Sequence, residues 1–213
     1  GISGLHIFDK TLQKIVLDQE DLSVFAVHRA KNNHIWVGSN RGLFQIRGFN
    51  TQGQVIRRIG KRNGLPSDSI FKIREDRMGN LIVGGGNGAS RVGVQRHSVQ
   101  IDTLLKRKPV KDILIDRDGS LWFGTYNDAL FRYRRSRFKT VANGVLEPCL
   151  YLDRQDTVLI GTAAGTLLQL NKEKIAPSLK FFRGSGFGIT AICRDHRGDL
   201  WLGTLQRGFY RFN

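Results

Sequence analysis

One pattern returns five times along this chain, and that return limits the possible folds more than any other feature. It reads RAKNNHIWVGS (29–39), EDRMGNLIVGG (75–85), IDRDGSLWFGT (115–125), LDRQDTVLIGT (152–162) and RDHRGDLWLGT (194–204). Its late glycine falls at Gly38, Gly84, Gly124, Gly161 and Gly203, spaced 46, 40, 37 and 42 residues apart. Periods of roughly 40 to 50 residues are those of propeller blades.

Residue types explain one unit. An aspartate (Asp76, Asp116, Asp153, Asp195) closes a first apolar strand, and its carboxylate suits the backbone N–H groups of a tight turn. Gly79, Gly119 or Gly198 follows three residues on and supplies the positive φ that a hairpin needs. Asn32, Asn33 and Asp156 serve that turn in the two copies without the glycine. The second strand carries a large apolar residue two before the late glycine: Trp36, Ile82, Trp122, Leu159 or Trp201. The late glycine lets a neighbouring backbone approach closely. A third strand follows each core, as GLFQI (42–46), GASRV (88–92), ALFRY (129–133), GTLLQ (165–169) and GFYRF (208–212). GLHIF (4–8) matches a third strand with no core before it. KIVLD (14–18), VIRRI (55–59), VQIDTL (99–104) and LKFFR (179–183) read as outer fourth strands. No segment sustains a 3.6-residue apolar period, so helix is minor. The fold class is therefore all-β, a β-propeller of four-stranded blades over 1–213, with repeat cores at 29–46, 75–92, 115–133, 152–169 and 194–212.

The linkers into the first strands add KRNGLPSDSI (61–70), NGVLEP (143–148) and RGSGFGIT (183–190). N-G-L-P-S-D-S-I, then E-D-x-x-G-N-L, then L-W-x-G-T and G-L-x-x-F together resemble the two-component regulator propeller repeat. The resemblance covers essentially the whole chain. The second unit departs most, with Ile82 in place of Trp and Gly84-Gly85 in place of Gly-Thr. The resemblance implies a seven-bladed propeller that forms the periplasmic sensor of a bacterial membrane receptor. Its output module, a histidine kinase or a diguanylate cyclase, lies across the membrane. Five units and a partial one read as part of such a larger sensor.

Asp116-x-Asp118-Gly119 lacks the alternating oxygens and closing glutamate of a calcium loop. GSGFG (184–188) and GGG (84–86) precede no helix pattern and no Lys-Ser/Thr, so they read as turns rather than phosphate cradles. His6, His28, His34, His97 and His196 show no metal-ligand spacing. His28 falls on an inner strand, a position that can face the central channel, and reads first as a turn or packing residue. No catalytic constellation emerges, so no enzyme, cofactor or metal is expected. Cys149 and Cys193 fall on equivalent strand faces, which predicts two reduced, half-buried thiols and no bridge.

Lys plus Arg is 34 against 18 for Asp plus Glu, a net charge of +16. Such a balance favours anionic partners. Basic clusters at Arg57, Arg58, Lys61, Arg62, at Lys106, Arg107, Lys108, Lys111, and at Arg132, Arg134, Arg135, Arg137, Lys139 read as solvated outer edges. Nucleic acid is the disfavoured partner, because aromatics are thinly interleaved there.

Propellers bind where second-to-third-strand turns and interblade connections converge. The turns carry Asn40, Arg41, Asn87, Tyr126, Asn127, Asp128, Gln206 and Arg207, and the connections add Asn63, Ser67 and Asp68. This set is the expected ligand face for a small molecule or glycan, with the arginines on an anionic group. Two other classes stay open at this point: a protein-interaction scaffold, including a homodimer, and a polyanion-binding basic propeller.

Overall fold

The structure is a computed structural model that describes residues 5–8, 14–17, 21–47, 54–96, 98–126, 129–134, 137–153, 156–171, 174–180 and 187–212. Two compact units divide the chain, Gly1–Val110 and Lys111–Asn213.

In the first unit β1 (Leu5–Phe8) pairs antiparallel with β2 (Lys14–Leu17), as a third and fourth strand would. A four-stranded meander follows: β3 (Val24–Arg29), β4 (Ile35–Ser39), β5 (Gly42–Arg47) and β6 (Gln54–Ile59). A single 3₁₀ turn, Lys61–Asn63, leads to the next meander. That one holds β7 (Ile70–Glu75), β8 (Leu81–Gly85), β9 (Gly88–Val94) and β10 (Val99–Lys106). The second unit holds two more: β11 (Val110–Ile115) to β14 (Arg137–Asn143), and β15 (Cys149–Leu152) to β18 (Lys174–Lys180). Their inner members are β12 (Leu121–Thr125), β13 (Ala129–Arg134), β16 (Val158–Gly161) and β17 (Thr166–Asn171). A three-stranded meander, β19 (Ile189–Arg194), β20 (Leu200–Thr204) and β21 (Phe209–Phe212), comes last. These five sheets are propeller blades, called blades 1 to 5 below.

The fourth strand of blade 4 starts earlier than LKFFR suggests. Lys174–Lys180 forms it, and residues 181–183 lie outside the described residues. Pro177 stands inside this strand; as the outermost strand of its sheet, it tolerates a residue without an N–H.

Three elements of the repeat do separable jobs. The aspartate shapes the hairpin: in blade 2 one Asp76 oxygen accepts the N–H groups of Met78 and Asn80 at 3.0 and 2.9 Å. The turn glycines hold positive φ (Gly79 84°, Gly119 79°, Gly198 97°), and Asn33 and Asp156 take the same region at 62° and 56°. In blades 3 and 5 the second carboxylate oxygen does something the sequence did not announce. Asp116 accepts the indole N–H of Trp122 at 2.9 Å, and Asp195 that of Trp201 at 3.0 Å. A tryptophan can then be buried without orphaning its donor. Across the register, Trp122 faces Arg132 and Trp201 faces Arg211, each guanidinium lying over the ring (4.9 and 5.8 Å). Arg132 therefore belongs inside a blade and not to a solvated edge. Arg57, on outer strand β6, also has structural partners: it donates to the carbonyls of Gln95 and Arg96 at 3.2 and 3.1 Å.

The Asp195 carboxyl sits below the ordinary carboxylate range, first because of the Trp201 N–H and then the turn N–H groups. A depressed folded-state pKa gives stability that is whole above the unfolded value, about 3.9, and is lost as pH falls through the folded value. The melting-temperature gap between the wild type and Asp195→Asn should be widest near neutrality and close in acid. A gap constant with pH would contradict this.

The late glycines are where blades meet. A Cβ on Gly38 would stand 2.8 Å from the Ile70 carbonyl oxygen of the next blade. On Gly124 it would meet Pro148 at 2.6 Å, and on Gly161 Ile189 at 2.4 Å. Around these contacts lie the cores: Trp36, Leu43 and Ile59 against Ile70, Ile73 and Val83 in the first unit. In the second, Trp122 and Leu130 pack with Leu150 and Ile160, and Leu159 and Leu167 with Ile189 and Leu202. Each such buried side chain contributes about 1.5–3 kcal/mol. Blade 5 differs. Phe209 stands opposite Gly203, a place where Leu43, Ala89, Leu130 and Leu167 are buried, yet it is 73% exposed.

Neither cysteine forms a disulfide among the described residues. Cys149 is half-buried as expected, but Cys193 is exposed, because it shares that open face of blade 5 with Trp201. His28 packs as expected: its Nε2 donates to Glu75 of the adjacent blade at 3.2 Å.

Candidate functional site

Antiparallel meanders gather their loops at two ends. One end holds the Asp-Gly hairpins. The other holds the second-to-third-strand turns with the interblade connections, and is called the loop end here.

Backbone hydrogen bonds stitch the loop end together. In the first unit Asn40 donates to Ser23, Gly86 to Ser69 and Arg107 to Asn87, at 2.9–3.0 Å. In the second, Glu147 donates to Tyr126, Ala163 to Leu146 and Leu205 to Gly188, at 2.9–3.1 Å. Turn and connection thus form one rim in each unit, with side chains fixed by both.

The first unit's expected ligand residues are mostly occupied in shaping this rim. Asn40 accepts the Ser23 N–H at 3.0 Å and donates to the Asp21 carbonyl at 2.8 Å. Asn63 accepts from the Gly60 N–H, Asp68 from Lys61, and Ser67 from Ser69, at 2.8–3.0 Å. Asn87 donates to the Pro66 carbonyl at 3.3 Å. Arg41 bonds through its backbone to Ser39 and Arg58, while its guanidinium has no polar partner among the described residues.

The second unit's residues face outward. Tyr126 is part-exposed, with the Lys111 ammonium 5.0 Å from its ring centroid. Its phenol is held above the ordinary range by a hydrogen bond to the Glu147 carboxylate and by that group's charge. Glu147 itself has φ of 45°, a conformation that non-glycine residues adopt at a cost and that often marks functional loops. Arg207 lies over Phe187 at 5.4 Å, and Gln206 is exposed beside it. Asn127 and Asp128 lie outside the described residues.

Several loop-end residues escaped the sequence reading. Phe25 and Phe71 meet edge-to-face at 5.3 Å, and Phe25 is exposed. Each sits in a register break of its first strand, between Val24 and Ala26 and between Ile70 and Lys72. A bulge turns its extra side chain away from both sheet faces, while in sequence an apolar strand residue reads as core. Lys111, Leu146, Glu147 and Phe187 were missed because only the connection folded against the turn shows which of its side chains stay outside. No group of three or more His, Cys, Asp or Glu that would hold a metal occurs among the described residues.

The chain matches the two component regulator propeller family over residues 105–127 and 186–206. No curated protein matches it. Among solved structures, it is similar to the extracellular domain of a protein assigned as a hybrid two component system from B. thetaiotaomicron. Identity is 16% and the TM-score 0.76, over 100% of this chain and 31% of that one. A second such domain from B. thetaiotaomicron is 15% identical, with a TM-score of 0.58 over 100% of this chain and 38% of that one. Virginiamycin B lyase from Staphylococcus aureus is also similar, at 14% identity and a TM-score of 0.71, over 99% of this chain and 77% of that one. At these identities the likeness is one of fold. The chain spans about a third of the length of the extracellular domains it resembles.

Proposed function

We propose that this chain, which carries two component regulator propeller repeats, is the ligand-sensing part of an extracytoplasmic receptor domain and does no chemistry itself. The observation that carries the reading is the composition of the second unit's loop end. Exposed Tyr126, Leu146 and Leu205 stand there with two cations over aromatic rings, Lys111 on Tyr126 and Arg207 on Phe187. Apolar surface with a few placed charges is the makeup of a recognition site, and exposed cation–aromatic pairs add about 0.5–1 kcal/mol each. The repeat aspartates Asp76, Asp116 and Asp195 at the hairpin end, by contrast, are engaged by turn or indole N–H groups.

On this reading the ligand is a small molecule or glycan with an anionic group, met in the second unit by Arg207. A membrane-linked kinase or cyclase output lies elsewhere in the full receptor, and the domain is periplasmic. The exposed Trp201–Phe209 face of blade 5 is where a further blade or a second copy packs. Arg207→Ala should reduce receptor output at fixed stimulus by about tenfold, a loss of some 1.4 kcal/mol. Unchanged output in that variant would sink the proposal. The rival polyanion reading predicts instead heparin binding that collapses steeply with salt.

A further inference from the structure

At the hairpin end, neighbouring blades leave a groove between them, and two of these grooves are plugged by the last residue of the incoming blade's first strand. Between blades 1 and 2 the plug is Glu75, which accepts from His28 Nε2 at 3.2 Å and from the Lys31 N–H at 3.0 Å. Between blades 4 and 5 it is Arg194, which donates through Nε and Nη2 to Asp153 at 2.9–3.0 Å. Between blades 3 and 4 the same register position holds Leu152, which has no polar group to reach across.

There the groove stays open as a cavity of about 240 Å³. Its apolar wall is Trp122, Val158 and Leu170. Its polar wall holds Asp116, Arg117, Asp118, Arg132 and Asp156, and each charge is matched: Arg117 with Asp156 at 3.1 Å, Arg132 with Asp116 at 3.5 Å, and Asp118 with Arg134 outside the cavity at 3.4 Å. Arg132 Nε is buried with no hydrogen-bond partner. A buried donor left unpaired is costly.

We propose that this cavity is a binding site for a small uncharged polyhydroxylated ring. Size comes first: drug-sized ligands fill about 300–1,000 Å³, so this space takes one ring. Charge comes second. The ion pairs already balance, so a charged ligand brings an uncompensated charge into a partly buried site. Hydrogen bonding comes third. Asp118 and Asp156 only accept, the guanidinium groups of Arg117 and Arg132 only donate, and a hydroxyl satisfies both kinds of partner. The C–H face of a ring covers Val158 and Leu170. This site is at the opposite end of the strands from the loop-end reading and does not depend on it.

The test is calorimetric titration of the chain with myo-inositol, and with glucuronate as a charged ring of similar size. Saturable binding of inositol with clearly weaker glucuronate is expected, together with a change in tryptophan fluorescence. Leu152→Arg installs at Asp116 the plug that Arg194 forms at Asp153, and should weaken inositol binding by at least about tenfold while leaving the melting temperature near that of the wild type. Leu152→Met should bind as the wild type. Should Leu152→Arg fold poorly, Arg132→Lys serves in its place: it keeps the charge, removes the planar guanidinium from the cavity wall and should also weaken binding. Arg41→Ala and Arg207→Ala should leave inositol affinity unaltered. No saturable binding up to about 50 mM would mean that the cavity holds water only, and would overturn the proposal. Equal affinity for glucuronate, or undiminished binding in both Leu152→Arg and Arg132→Lys, would overturn it as well.

Discussion

Gly161→Ala is expected to destabilise the second unit by about 2–3 kcal/mol, the cost of forcing one extra carbon into a packed interior. The added Cβ would stand 2.4 Å from Ile189 Cγ2 and 2.7 Å from Ile189 Cβ. Neither atom is the loose end of a flexible chain. Ile189 is itself buried, and its backbone N–H donates to Thr162 at 2.9 Å, so the incoming strand cannot back away cheaply. Gly203→Ala is the internal control. It changes the same position of the repeat, but among the described residues its Cβ would meet only Ala191 and Thr190 of its own blade, at 3.2 Å or more. That change should cost under about 1 kcal/mol. Urea unfolding of both variants measures the difference, and equal losses would show that close approach is not what the glycine provides. In a double-mutant cycle, Ile189→Ala should absorb part of the Gly161→Ala penalty, since the two changes share one contact.

Asp116→Ala has the second large effect, about 3 kcal/mol, because it strands donors as well as removing bonds. Asp116 accepts the Ser120 N–H at 2.8 Å and the Trp122 indole N–H at 2.9 Å, and Arg132 Nη2 lies 3.5 Å away. Trp122 and Ser120 are both buried, so water does not readily replace the lost acceptor. Asp116→Asn keeps one acceptor oxygen and should lose markedly less. Trp122→Phe removes the indole donor, and in the double variant Asp116→Ala should cost less than it does alone. Simple additivity would show that the indole bond contributes nothing.

The repeat made most of the architecture legible in advance. Period, hairpin and strand order can all be read from Asp, Gly and apolar alternation, because each is a local requirement of one unit. Asn33 and Asp156 were recognisable as turn residues for the same reason: φ near 60° is a local demand that Asn and Asp meet more easily than most residues. The close approach at Gly38, Gly124 and Gly161 was legible because a recurring glycine between bulky strand residues has few other uses. Roles set between units were not legible. Arg132 reads as one more surface arginine until the register places it over Trp122. Phe71 reads as core until a bulge lifts it out. Asn63, Ser67 and Asp68 have the residue types of a binding loop, and in the structure they hold that loop's own backbone.

By itself, then, the sequence determined the unit: four strands in order, an Asp-Gly hairpin, a large side chain to bury and a glycine to let the next sheet near. These follow from residue chemistry repeated at a fixed period. Only the tertiary structure decided which charged and aromatic side chains stay exposed at the loop end. It alone showed that the 3–4 groove is open, because Leu152 stands where Glu75 and Arg194 reach across. Equivalent residues in the repeat have identical local demands, and they are told apart only by what the neighbouring blade brings against them.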